Sequence, residues 1–249
     1  MKAPPVDIEA VKNFIRTHAE HCRPYECCGL IVRRGKHQEP LSCRNVSENP
    51  LHNFVMHPRD VVRAEELGKV LMSYHSHVEE GPQPSVEDKV NAEKNRLPML
   101  IVSWPADSWE LYTPCGFTLP LEGRPFVYGV VDCFTLLQDY YREKLGIELP
   151  DVPYHGKWWK EGGNLFIEHF AKNGFVEVHD GPREHDVLLM QNDTEPVVNH
   201  CAIYLGDGMM LHHAPGQLSG VHPYVADRGQ YALATRHIIR HRRLLDAAA

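Results

Sequence analysis

The segment HSHVEEGPQPSVED, residues 75–88, sets His75 and His77 two positions apart. On an extended strand that spacing turns both imidazoles to one face, as two zinc ligands from one strand require. Asp88, beyond a proline-rich turn, can add a carboxylate as the third ligand. Two histidines and one carboxylate leave a fourth position open, the arrangement of a catalytic rather than a structural zinc site. Glu26 is the candidate base that takes a proton from water there and passes it to a leaving amine. Ser85 can donate a hydrogen bond to the developing oxyanion. With 17 histidines in the chain, an HxH pair alone means little. The full string, with serine and aspartate in place, means more.

A second constellation lies further on. Cys133 follows Asp132 and opens the run FTLLQDYYREKL. A sulfur at a helix N-terminus is stabilised as thiolate by unpaired amides and the helix dipole. The other six cysteines (22, 27, 28, 43, 115, 201) lack that setting. Cys201, inside a strand-like run, reads as a small buried hydrophobe. The segment HCAIYLGDGMMLHH reads as a hairpin with Gly206-Asp207-Gly208 as a three-residue turn, pairing Leu205 with Met209 and Ile203 with Leu211. That register gathers the four apolar residues on one face and leaves His200 and His212 as diagonal neighbours on the other. One imidazole can then act as base for Cys133 while the other orients it.

These residues need rigid elements to hold them. Residues 7–20 place Ile8, Val11, Phe14 and Ile15 at helical spacing behind the N-cap Asp7. Gly29–Val32 reads as a buried strand and 58–71 as a helix, followed by strands at 71–75, 100–104 and 109–113. Alternation of this kind makes an α/β domain. PCGFTLPLEGR (114–124) has two prolines and two glycines and suits a connection. Beyond it come helices at Cys133–Leu145 and 164–173, the second ended by Gly174, and then strands from Asp186, an α+β order. The arginines from Arg236 to Arg243 read as a solvated tail.

The chain has 249 residues, 43% hydrophobic and 24% charged, and a formal net charge of -7. That composition suits two small globular domains, and the charge disfavours nucleic acid or anionic membrane as partner. No run reaches the ~20 apolar residues of a membrane helix. Met1–Pro5 leads into Asp7 with no apolar stretch for a signal peptide, so synthesis in the cytoplasm is expected. Seven cysteines form neither a disulfide framework nor a CxxC pair, and free thiols are expected.

HxH, seven residues, Ser, two residues and Asp, with an upstream Glu, resembles the JAMM signature of MPN-fold metallopeptidases. The resemblance implies a zinc peptidase that cleaves amide or isopeptide bonds, with zinc held by His75, His77 and Asp88 and with Glu26 and Ser85 catalytic. GRPFVYGVVDC, then HCAIYLG and LHH, resembles the NlpC-type papain-like cysteine peptidases. Cys133, His200 and His212 match their three catalytic roles, and hydrolysis of peptidoglycan stem peptides after γ-linked D-glutamate is implied. Where many relatives carry a tyrosine beside the oxyanion, this chain has Phe126, with Tyr128 two residues later.

The expected organisation is an MPN-type α/β domain at 1–113, a linker at 114–123 and an NlpC-type α+β papain-like domain at 124–249. This pairing resembles the tail-tip assembly proteins of lambda-like long-tailed phages. It implies other tail-tip proteins and peptidoglycan peptides as partners, and residence in the host cytoplasm and then in the virion tail tip. A cellular bifunctional peptidase and a structural tail component with latent sites are the other readings.

Overall fold

Asp7 accepts from the Ala10 amide at 3.2 Å and so starts α1 (Ile8–Cys22). Its spacing buries Val11, Ile15 and Ala19, while Phe14, expected on the same stripe, sits at the rim and is 40% exposed. Next come β1 (Cys28–Arg34), β2 (His37–Cys43), α2 (Pro58–Leu67), β3 (Lys69–Val78), α3 (Val86–Asn95), β4 (Met99–Trp104) and β5 (Ser108–Tyr112). The computed structural model describes residues 6–152, 154, 158–192, 196–224 and 229–245. It divides into two compact units, 1–118 and 119–249. The segment Met1–Pro5, expected to carry no signal peptide, and the terminal alanines lie outside the described residues.

In the first unit the strands run β2-β1-β3-β4-β5. β3 pairs antiparallel with β1 and parallel with β4, and α3 makes the crossover between β3 and β4. One face of the sheet packs on α1 through Ile31, Met72, Tyr74, Leu100 and Val102. On the other face Leu30 and Val32 meet Ala64 of α2, and Ile101 meets Ala92 of α3. Gly29 lets β1 approach Tyr74: a Cβ there would lie 2.4 Å from the tyrosine ring and 2.2 Å from the Leu41 carbonyl. The helix expected over 58–71 stops at Leu67, because Gly68 leaves the helical conformation and β3 begins at Lys69.

The second unit opens with α4 (Cys133–Leu145), a 3-10 turn at Trp158–Glu161 and α5 (Leu165–His169). The strands follow: β6 (Phe175–Glu177), β7 (Val187–Met190), β8 (His200–Gly206), β9 (Met209–His212), β10 (Gly220–Pro223), then α6 (Gln230–Ala234) and β11 (Thr235–His241). Their order is β10-β9-β8-β7-β11-β6. α4 lays Leu136, Leu137, Tyr140 and Tyr141 on one face of the sheet, against Val187, Leu189, Ile203 and Ile239. On the other face Tyr231, Ala232 and Ala234 of α6 cover Leu188, Met190, Ala202 and Met210. No helix among the described residues is long and apolar enough to cross a membrane.

Three expectations are corrected here. α5 is shorter than 164–173, giving way to turns before Gly174. The β8–β9 hairpin closes by Gly206 pairing with Met209, not Leu205, because a bulge falls between Tyr204 and Gly206; Ile203 still pairs with Leu211. The arginine-rich segment is not a tail, although Arg236, Arg242 and Arg243 are exposed as expected. Its first part is β11, sandwiched between β7 and β6, and Arg240 there is buried with two of its guanidinium nitrogens on Asp186, at 2.8 and 2.7 Å.

Candidate active sites

β3 turns His75 and His77 to one face, and Asp88 reaches them from the first turn of α3. Their ligand atoms all lie within 4.8 Å of one another, and all three residues are buried. The two Nε2 atoms are 3.0 Å apart, with Asp88 Oδ1 3.3 Å from His75 and Oδ2 3.5 Å from His77. Nδ1 of His77 lies 2.7 Å from the Gly81 carbonyl, which can only accept. His77 therefore carries its proton on Nδ1 and presents a lone pair at Nε2. Phe54 stacks on His75 at 4.5 Å, and Nδ1 of His75 is buried without a partner among the described residues.

Ser85 and Asp88 form a capping box. The Ser85 hydroxyl donates to Asp88 Oδ2 at 2.8 Å and accepts from the Asp88 amide at 3.0 Å. One pair of residues thus starts α3 and aims its carboxylate at the histidines. Burial works against ionisation of Asp88, but hydrogen bonding with His75, His77 and Ser85 more than offsets it and holds the carboxyl far below its usual range. Burial lowers His75; for His77 the same burial is outweighed by Asp88 and the Gly81 carbonyl, which raise it.

Glu26 precedes β1, 5% exposed, with its amide on the Pro50 carbonyl. Burial pushes its carboxyl up to about 8, partly countered by His77. The carboxyl is therefore placed to hold or release a proton near neutral pH.

In the second unit Asp132 caps α4, accepting from the Phe134 and Thr135 amides, and its carboxylate also takes the Gly129 amide and the Tyr154 hydroxyl. Cys133 stands at the first position of that helix. Its thiol is lowered to about 6 by hydrogen bonding with Cys201 and by the charge and hydrogen bond of His200, against the penalty of burial. Nε2 of His200 faces Nδ1 of His212 at 3.3 Å, the diagonal pairing expected from the sequence. Burial, with the surrounding His200, His222 and His213, lowers His212 to about 3, so this ring is neutral across the physiological range.

Beside Cys133 and His200 opens a cavity of about 210 Å³ whose walls include both Phe126 and Tyr128. Three participants were not expected from the sequence. Cys201, read as a plain hydrophobe, also points its sulfur at the Cys133 carbonyl, 3.3 Å away. Tyr154 steadies the helix cap, and the Gly81 carbonyl sets the tautomer of His77. The four-residue separation of His77 and Gly81 around a glycine-containing turn was the available signal for the last; nothing local marked the other two.

Residues 9–112 match the family model of prokaryotic homologs of the JAB domain, and residues 123–240 match the NlpC/P60 family. The N-terminal part accordingly has the α/β MPN-type fold and the C-terminal part the α+β NlpC/P60 fold. A JAB1/MPN domain protein from Archaeoglobus fulgidus is similar at 23% identity and a TM-score of 0.29, over 41% of this chain and 83% of that one. Tail tip assembly protein K of Escherichia phage lambda is 33% identical over 75% of this chain and 89% of its own length. That of Escherichia phage N15 is 36% identical over 232 residues, 92% of this chain and 93% of the phage protein. The chain belongs to the phage tail tip assembly protein K family, with a JAB domain followed by an NlpC/P60 domain.

Proposed function

We propose that this protein is a tail tip component with two hydrolytic centres, and that the cysteine centre cleaves stem peptides of peptidoglycan. The observation that carries the reading is the buried row Cys133, His200, His212: a lowered thiol at a helix N-terminus, a histidine within reach and a neutral ring behind it. His200 takes the thiol proton, and Cys133 Sγ attacks the peptide carbonyl. The tetrahedral adduct collapses to a thioester as the C–N bond breaks, and His200 returns its proton to the departing amine. Water, deprotonated by His200, then hydrolyses the thioester and restores the thiol. His212 accepts from His200 whenever that ring is charged. Phe126 offers no hydroxyl for the oxyanion, so the reading assigns that place to Tyr128, which lines the same cavity.

His75, His77 and Asp88 supply the nitrogen and oxygen donors that zinc favours, at separations suited to one ion, and the tautomer of His77 leaves its lone pair free. Bound zinc would supply Lewis-acid chemistry for an amide or isopeptide bond. Glu26 would hold and pass on the proton, while Ser85, whose hydroxyl aims Asp88, would donate to the developing oxyanion. Zinc, other tail tip proteins and wall peptides are thus the proposed ligands. Residence in the host cytoplasm and then in the virion follows from the same reading.

The test is mass spectrometry of purified stem peptides after incubation with wild type and with Cys133→Ala. Products from the wild type alone support a wall peptidase. An intact substrate with both proteins removes that activity and favours a structural role for the second domain.

A further inference from the structure

The histidine row continues past His212. Ala202 of β8 and Gly220 of β10 both pair with His212 of β9. His200 is two residues from Ala202, and His222 is two residues from Gly220, so all three histidines project from the same sheet face. They form a diagonal across three adjacent strands. Ring centroids are 5.5 Å apart for His200 and His212, and 4.6 Å apart for His212 and His222, both pairs edge to face. The His222 ring folds back over Gly220, where a Cβ would stand 3.5 Å from its Nε2. Exposure rises along the row: His200 and His212 are buried, and His222, on the edge strand, is half-buried.

We propose that His222 is a positioning residue of the cysteine centre, which orients His212 and links the buried pair to solvent. The proposal rests on the reading of Cys133 and His200 given above. When His200 is charged, its Nε2 proton must go to Nδ1 of His212, so His212 must carry its own proton on Nε2. An imidazole against that ring can favour this tautomer and fix its plane. Among the described residues the other titratable groups facing His212 are His200 on β8, His213 just after β9 and Tyr231 on α6, whose ring is 5.0 Å away. Of the row, His222 is the member open to exchange protons with water.

The test follows alkylation of Cys133 by iodoacetamide between pH 5 and 9 in the full chain, for wild type, His222→Phe and His222→Asn, with folding checked by circular dichroism. Phenylalanine keeps the ring, and asparagine keeps a small polar group; both remove the imidazole. The expected result is a half-point moved to higher pH by about half a unit or more in both variants. A folded variant with the wild-type profile overturns the proposal. A wild type in which Cys133 has no advantage over exposed Cys115 overturns the cysteine-centre reading, and this proposal with it.

Discussion

Cys28 of β1 pairs with His75 of β3 across an antiparallel ladder. The pairing continues through Cys27 and Ser76, whose backbone and hydroxyl exchange bonds of 3.0 and 2.8 Å. That register carries Glu26 alongside His77, so one strand pairing brings together residues about fifty positions apart in the chain. If this cluster holds zinc, His77→Ala loses stoichiometric metal while Glu26→Gln keeps it. Metal analysis after dialysis decides the matter, and zinc retained by His77→Ala excludes the site.

The Cys201 thiol lies 3.3 Å from the Cys133 carbonyl and also bears on the Cys133 thiol. Its hydrogen bond is the largest influence lowering the Cys133 thiol. Cys201→Ala should therefore raise the half-point of Cys133 alkylation toward that of an ordinary thiol, whereas Cys201→Ser, which keeps a donor, stays nearer the wild type. Identical profiles for wild type and Cys201→Ala would show that the second sulfur only fills space.

Arg240 and Asp186 are both buried and joined by two hydrogen bonds. Removing one partner strands the other charge in the interior, so Arg240→Ala should cost about 3–5 kcal/mol in chemical denaturation of the second unit. A change within ~0.5 kcal/mol, the size expected of a surface residue, would mean that water replaces the arginine freely.

The elements that position both sites were legible to different degrees. α4 was readable to the residue, because Asp132 caps it and Gly146 ends it in a left-handed conformation. β2 and α3 were not expected. β2 alternates poorly and contains Pro40, and α3 (VEDKVNAEKN) is mostly charged, burying little beyond Asp88 and Ala92. The mark of α3 was present in Ser85-x-x-Asp88, read only as site chemistry although the same pair is its capping box. Arg240 departs from the solvated reading because a buried arginine depends on Asp186, fifty-four residues away, which no local pattern reveals. The His200–His212 diagonal survived a wrong turn because the bulge lies between Tyr204 and Gly206, beyond the Ile203–Leu211 pair that fixes their offset.

The most direct test of the account is mass-spectrometric mapping of iodoacetamide adducts on the full chain at neutral pH. Burial raises the thiols of Cys27, to about 12, and Cys43, to about 11, and also those of Cys22, Cys28 and Cys201. Exposed Cys115 is the natural competitor. Cys133 alone among these thiols is lowered, by Cys201 and His200. The account predicts that it is modified first, with a rate that falls as the pH is lowered below neutral. First modification at Cys115, Cys27 or Cys28, with Cys133 left untouched, would contradict it.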